Sequence, residues 1–242
     1  MAYRYATERR DHSDLACGNV LRSAPGHPGF PVRLADELFQ RAAAHLPAAP
    51  LALWDPCCGS GHLAASVGTL HRYRLSWLLA TDTEPAALSI AERNLALLTG
   101  RGLAERERVL RAEAAELRKP TLLDRADTAA RLAGRLSERG GDLDHRVGAG
   151  DVFDPTEPER PVDLVLTDVP YGGLTSFTGA PPDGEPVPAM LRALAAVLPE
   201  RAVLAVTART RKVALPEGVR ALERLRVGNR AAVLVRAGDA RR

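Results

Sequence analysis

A glycine-rich turn between a short apolar segment and a helix constrains this chain more than any other feature. Residues 51–54 form an apolar run typical of a buried strand, and residues 63–70 have the pattern of a helix. Between them, residues 59–64 (GSGHLA) match the pattern G-x-G-x-x-G/A. Glycine lets a ligand approach the backbone closely, and the helix N-terminus offers unpaired N–H groups. The turn therefore predicts an α/β fold whose first strand–helix connection binds a cofactor.

The rest of the chain alternates strand patterns with helix patterns. Strands are predicted at residues 77–81, 145–153, 162–167 and 202–208, and helices at residues 32–45, 85–98 and 188–198. Residues 101–140 are rich in Ala, Arg, Glu and Leu, which predicts a helical insertion that is split at Pro120. The last two predicted strands, residues 219–227 and 231–235, flank a Gly-Asn pair typical of a tight hairpin.

This alternation predicts a Rossmann-like α/β fold with one mostly parallel sheet of seven strands. Helices are expected on both faces, because connections between parallel strands cross over the sheet. The C-terminal hairpin adds antiparallel pairing at one edge. We expect residues 1–242 to form a single domain, with an N-terminal extension at residues 1–48 and the insertion at about 101–140.

Composition excludes several other classes of protein. The chain is 45% hydrophobic and 26% charged, which is enough apolar material for a sizeable core. It has no apolar run near the roughly 18 residues of a membrane helix, and its charged N-terminus lacks a signal-peptide core. The three cysteines show no zinc-site spacing and are expected to be free thiols in a reducing compartment. These features predict a cytoplasmic protein without a metal site.

Basic residues are concentrated near the C-terminus. The formal net charge is +3, but residues 201–242 carry 11 Lys/Arg against 3 Asp/Glu, so the remainder is net acidic. Arg209, Arg211 and Lys212 follow the strand at residues 202–208, at the edge where the cofactor turn lies, and are predicted to bind substrate phosphates. A solvated loop in an arginine-rich chain is the alternative. The N-terminus also alternates aromatic and basic residues that could reach RNA unless it frays: Tyr3, Arg4, Tyr5, Arg9 and Arg10.

An aspartate at the end of the next strand narrows the choice of cofactor. Asp82 follows Ala64 by 18 residues. A carboxylate in this place can accept hydrogen bonds from both hydroxyls of a ribose. The turn and the acid together predict a cofactor that contains adenosine, and NAD and S-adenosylmethionine both satisfy that requirement.

Residues 55–61 (DPCCGSG) resemble the first motif of class I S-adenosylmethionine-dependent methyltransferases, in a form similar to that of enzymes acting on nucleic-acid bases. The resemblance implies S-adenosyl-L-methionine as the cofactor, with the loop backbone holding its methionine part. It also implies that Asp55 positions the cofactor's amino group and that Asp151, after the third strand, binds the adenine amino group. The expected cofactor-binding residues are Asp55, Cys58, Gly59, Ser60, Gly61, His62, Asp82 and Asp151.

A second motif, residues 168–171 (DVPY), follows the fourth strand. It resembles the (D/N)-P-P-(Y/F) motif of methyltransferases that act on nitrogen, which implies catalytic roles for Asp168, Pro170 and Tyr171. An acceptor for the N–H hydrogen bond raises electron density on a weakly nucleophilic base nitrogen, and an aromatic ring can stack on a flipped base. Val169 stands where the family usually has its first proline. This departure leaves a ring nitrogen of guanine as plausible a target as an exocyclic amine.

The order of three segments resembles a narrower group. Residues 27–32, 55–63 and 166–173 are similar to those of the 23S ribosomal RNA methyltransferases that make actinomycetes resistant to the orthosomycin antibiotic avilamycin. That resemblance implies methylation of one guanine base in the RNA of the large ribosomal subunit, and we take a ring nitrogen as the target. Because the sequence shows no long apolar surface stripe, we expect a monomer. The residues themselves leave open a protein glutamine methyltransferase, a small-molecule methyltransferase and a non-catalytic RNA-binding module.

Overall fold

A computed structural model describes residues 3–169, 177 and 185–241 of the chain. The described residues form a seven-stranded sheet with the order β3-β2-β1-β4-β5-β7-β6. The strands are β1 (Leu51–Asp55), β2 (Leu75–Asp82), β3 (His145–Ala149), β4 (Leu164–Asp168), β5 (Val203–Ala208), β6 (Glu223–Val227) and β7 (Arg230–Arg236). The predicted sheet and its strand count are confirmed.

Pairing along the sheet is parallel except at one edge. β1 pairs in parallel with both β2 and β4, and β4 pairs in parallel with β5. β7 lies antiparallel between β5 and β6. The turn between β6 and β7 contains Gly228 with a φ of 59°, a backbone conformation that glycine adopts at little cost. The expected antiparallel C-terminal hairpin is therefore present.

Helices cover both faces of the sheet. They are α1 (Val32–Ala43), α2 (His62–Leu70), α3 (Pro85–Leu95), α4 (Gly100–Leu117), α5 (Thr121–Glu138), α6 (Pro186–Ala196) and α7 (Ala237–Ala240). On one face, apolar side chains from α1, α2 and α3 pack against alternate residues of the central strands. On the other face, α6 and α7 pack against the intervening residues. Burial on both faces explains why the central strands are nearly continuous apolar runs.

The helical insertion matches its prediction closely. It consists of α4 and α5, and the chain reverses at Arg118, whose φ is 51°, just before Pro120. The halves of the two helices that flank the turn at Arg118 contact each other through a small separate apolar cluster that includes Leu110 and Leu122. Leu132 and Leu136 of α5 join the main core instead. The insertion is thus a helical hairpin, anchored at one end.

Two predicted elements end three or four residues earlier than expected. β3 stops at Ala149 rather than at residue 153, because Asp151 Oδ1 accepts the N–H of Phe153 at 2.8 Å and closes a turn. α3 ends at Leu95 and continues as a 3₁₀ turn over Ala96–Leu98. Among the helices that the structure describes, none is long and apolar enough to span a membrane.

The N-terminal extension is packed rather than frayed over the part that the structure describes. The carboxylate of Glu37, which is fully buried in α1, accepts the backbone N–H groups of Arg4, Tyr5 and Ala6 at 2.7 to 2.8 Å. The guanidinium of Arg33 lies 4.0 Å from the centre of the Tyr3 ring. These contacts hold residues 3–6 along α1.

Candidate active site

Four aspartates lie at the carboxyl ends of four neighbouring strands. β3, β2, β1 and β4 are adjacent in the sheet, and each is completed or followed by one of Asp151, Asp82, Asp55 and Asp168. The carboxyl edge of an open parallel sheet is where ligands bind in this class of fold. The structure therefore brings the acidic residues of both predicted motifs to one edge.

The glycine turn is fastened to β2. The N–H of Cys58 donates to the carbonyl of Thr81 at 3.0 Å, and the N–H of Gly59 donates to Asp82 Oδ2 at 2.8 Å. A Cβ at Gly59 would meet nothing within 4 Å, whereas a Cβ at Gly61 would lie 2.8 Å from Leu95 Cδ1. Gly59 thus borders open space at the sheet edge, and Gly61 allows α2 to pack closely on α3.

Asp82 is oriented by the backbone on both sides. Oδ2 accepts the N–H of Gly59, and Oδ1 accepts the N–H of Glu84 at 3.1 Å. Each carboxylate oxygen keeps a further lone pair for another donor. The predicted contact with ribose hydroxyls is compatible with this orientation and stays a prediction.

Asp55 is a buried acid without a cationic partner among the described residues. Its side chain accepts a hydrogen bond from Thr167 Oγ1 at 2.9 Å. Burial, together with the negative charges of Asp82 and Asp168, raises its pKa to about 7, although the hydrogen bond from Thr167 opposes the shift. Three carboxylates in this proximity favour a cationic ligand and oppose a diphosphate. Since S-adenosylmethionine carries an ammonium and a sulfonium, whereas NAD carries two phosphates, the acidic edge fits the former.

The cysteines of the turn are packing residues. Burial raises the pKa of both Cys57 and Cys58, and the neighbouring aspartates add to the effect. A thiol that stays protonated is a poor nucleophile. The predicted contact of Cys58 with the cofactor is untested.

His62 has a structural task that its sequence position did not reveal. Its Nδ1 accepts the N–H of Phe30 at 3.2 Å, and its Nε2 lies 3.0 Å from the carbonyl oxygen of Leu15. Both ring nitrogens therefore hold the N-terminal extension, and burial lowers the pKa of the imidazole. The predicted contact of His62 with the cofactor stays a prediction.

Asp168 contacts a basic residue that the sequence analysis did not single out. Arg230, the first residue of β7, places Nη1 at 2.5 Å from Oδ1 and 2.6 Å from Oδ2 of Asp168. Arg230 is only 5% exposed, and its guanidinium carbon lies 4.8 Å from the centre of the Phe30 ring. The only indication in the sequence is that Arg230 follows the hairpin turn, at the point where β7 reaches the same edge as Asp168.

The predicted phosphate-binding residues lie beyond β5. Arg209, Arg211 and Lys212 are all exposed. They follow β5, which pairs with β4 in a register that places Thr207 opposite Asp168. Their position next to the acidic edge is as expected. Pro170 and Tyr171 lie outside the described residues.

Comparisons with known proteins agree with the geometry. A family described as rRNA methyltransferase AviRa matches residues 1–230 of the chain. The chain belongs to this family. A curated member, the 23S rRNA (guanine(2535)-N(1))-methyltransferase of Streptomyces viridochromogenes, is 51% identical over 98% of this chain and 97% of its own length. The prediction of a class I methyltransferase that acts on rRNA is therefore confirmed at the level of the family.

Solved structures of the AviRa family show the same architecture. The rRNA methyltransferase aviRa of Streptomyces viridochromogenes, solved at 1.5 Å, superposes with a TM-score of 0.92 and 50% identity, over 99% of this chain and 98% of its own. A second structure of aviRa, at 2.4 Å, gives a TM-score of 0.91. The extension and the helical hairpin lie within the matched length, so neither is peculiar to this chain.

Proposed function

We propose that this protein transfers a methyl group from S-adenosyl-L-methionine to N1 of a guanine in 23S rRNA. The observation that carries the proposal is the carboxylate of Asp168, held at the end of β4 beside the glycine turn and its acidic neighbours. The name of the Streptomyces viridochromogenes relative supplies the polymer and the atom. An rRNA methyltransferase of this type would act in the cytoplasm as a monomer.

Three aspartates and the turn would hold the cofactor. Asp55 would pair with the ammonium group of S-adenosylmethionine, the backbone at Gly59 would border the methionine part, and Asp82 would accept the ribose hydroxyls. Asp151, which follows β3, would accept the adenine amino group with the oxygen that is not closing its own turn. When bound, this cofactor supplies an electrophilic methyl on a sulfonium.

Asp168 would prepare the base. N1 of guanine carries a proton at neutral pH, so its lone pair is not available for attack. A carboxylate that accepts the N1–H hydrogen bond raises electron density on N1 and receives the proton as the carbon–nitrogen bond forms. Pro170 and Tyr171 would orient and stack the base, in keeping with their motif.

Basic residues beyond β5 would bind the rRNA backbone. Arg211 and Lys212 are exposed, and Arg209 adds a positive charge near Asp168. Phosphate contacts here would fix the register of the RNA while the base enters the site. Methylation of the base at N1 would remove a hydrogen-bond donor from the ribosome, which is how resistance to an orthosomycin such as avilamycin would arise.

The proposal is tested by methyl transfer from radiolabelled S-adenosylmethionine to 23S rRNA, 16S rRNA, tRNA and a protein extract. We expect label in 23S rRNA alone, on one guanine, and none with Asp168→Asn. Asp239→Asn, an exposed aspartate of α7, is the control and should match the parent protein. Label in protein would favour the glutamine methyltransferase. Binding of 23S rRNA without label in any polymer would favour a non-catalytic module.

A further inference from the structure

We propose that Arg230 is the positioning residue for Asp168 and that the N-terminal extension, through Phe30, holds Arg230 in place. The inference rests on the proposed function, because it gives Asp168 the role of accepting the N1–H of guanine. It adds two residues to the site that neither motif contains. Arg230 comes from the antiparallel hairpin, and Phe30 comes from the extension.

The contact geometry supports a positioning role. Nη1 of Arg230 bridges the two carboxylate oxygens at 2.5 and 2.6 Å, which fixes both the distance and the plane of the Asp168 carboxylate. The register makes this contact possible, because Ala208 of β5 faces Ala231 of β7 while Thr207 faces Asp168 of β4. Arg230 therefore reaches across the end of β5. A charged pair this close and this buried is geometrically specific.

Charge gives Arg230 a second effect on Asp168. Burial raises the pKa of Asp168, and the positive charges of Arg230 and Arg209 oppose that shift. On the other side, Asp55 and Cys57 from the end of β1 face the same space, and neither supplies a positive charge. Removal of Arg230 would thus leave a buried carboxylate that takes up a proton more readily. A protonated Asp168 cannot accept the N1 proton.

Phe30 connects the Arg230–Asp168 pair to the glycine turn. Its ring lies 4.8 Å from the guanidinium carbon of Arg230, within the range of a cation–π contact. Its N–H donates to Nδ1 of His62, the first residue of α2, directly after the glycine turn. The contacts run from His62 to Phe30, then to Arg230 and Asp168. The extension thereby links the helix that begins at the cofactor turn to the carboxylate that meets the base.

The test compares Arg230→Gln, Arg230→Lys and Phe30→Leu in the full-length protein. For Arg230→Gln we expect a single-turnover methyl-transfer rate at pH 7 that is lower by about 100-fold, the size of effect that proton-acceptor catalysis supplies. The dissociation constants for S-adenosylhomocysteine and for the rRNA transcript should change by less than about threefold. The acid limb of the pH–rate profile should move to higher pH, because the pKa of Asp168 rises. Arg230→Lys should recover part of the rate, and Phe30→Leu should lose a smaller part.

Arg236→Gln is the matched control, since Arg236 ends the same strand and binds the carbonyls of His45 and Arg201 at the opposite edge of the sheet. It should keep the parent rate and the parent pH profile. A normal rate in Arg230→Gln, or a lower rate with an unmoved pH profile, would overturn the inference while leaving the proposed function intact. Full activity in Asp168→Asn would instead overturn the role of Asp168 itself. If Arg230→Gln fails to fold, Arg230→Met, which also removes the positive charge, decides by the same criteria.

Discussion

At the scale of single residues, two glycines of one motif have different tasks. Gly59 has a φ of 50° and Gly61 a φ of 71°, so a side chain is strained at either position. Their surroundings differ, however, because a Cβ at Gly59 points into open space and one at Gly61 would lie within 3.1 Å of Ala91 as well as against Leu95. Gly59 borders open space at the edge of the sheet, and Gly61 faces the core.

Paired alanine variants should separate these tasks. Gly59→Ala is expected to lower stability by only about 1 kcal/mol, the cost of the strained backbone, and to weaken S-adenosylmethionine binding by at least about tenfold. Gly61→Ala is expected to lower stability by about 2–4 kcal/mol, because overpacking against α3 adds to the strain. Urea unfolding and calorimetric titration of the cofactor measure the two effects. Equal losses of stability in both variants would contradict this division.

At the scale of elements, the first residues of the extension depend on α1. Glu37 is fully buried and accepts three backbone N–H groups as well as Nε of Arg41 at 2.6 Å. Burial works against the charged form, but the hydrogen bonds outweigh it and hold the pKa of Glu37 below its usual value. A buried carboxylate in a helix thus takes the place of a neighbouring strand for residues 4–6.

Replacement of Glu37 should release this segment. We expect Glu37→Gln to lower the free energy of unfolding by about 2–4 kcal/mol at neutral pH, since it leaves buried donors and Arg41 without a charged acceptor. It should also speed trypsin cleavage after Arg9 and Arg10. Because the folded-state pKa is depressed, the difference from the parent should shrink as the pH falls below about 4.3. Glu92→Gln, an exposed residue of α3, should show neither effect.

At the scale of the whole molecule, some basic side chains form ion pairs with carboxylates and others do not. On the helical hairpin, Arg108, Arg111, Arg131 and Arg135 each contact a carboxylate. Beyond β5, Arg211, Lys212 and Arg220 are exposed, and no described carboxylate lies within ion-pair distance of them. A basic side chain without an ion-pair partner has no existing ion pair to break when it binds a phosphate. We therefore expect this part of the surface to contribute most to RNA binding.

Salt dependence tests this assignment. Replacement of Arg211, Lys212 and Arg220 by Gln should lower affinity for a 23S rRNA fragment and reduce the slope of log K against log salt by about 2, at about 0.7 per contact. The control Arg101→Gln/Arg118→Asn/Lys119→Gln removes the same charge from exposed residues of the hairpin. It should leave the slope unchanged. The same loss in both variants would mean that net charge, and not this surface, controls binding.

Much of this protein could be predicted from local pattern. Apolar runs identified the buried strands, Pro120 marked the break between α4 and α5, and the Gly-Asn pair marked the turn between β6 and β7. The two motifs located Asp55 and Asp168, and the end of the second predicted strand located Asp82. Strand ends in a parallel sheet must meet at one edge, so these residues could be placed together. Those elements depend on residues that are near one another in the chain.

Other features depend on contacts between distant residues. The register of β7 against β5 decides that Arg230 meets Asp168, 62 positions away. The docking of the extension decides that the nitrogens of His62 hold Phe30 and Leu15, and that Glu37 is buried in α1 rather than exposed. Burial and charge partners come from the assembled sheet, and no local pattern encodes them. The sequence by itself thus determined the fold, the glycine turn and the family, while the tertiary structure alone decided that Arg230 contacts Asp168 and that Phe30 contacts Arg230.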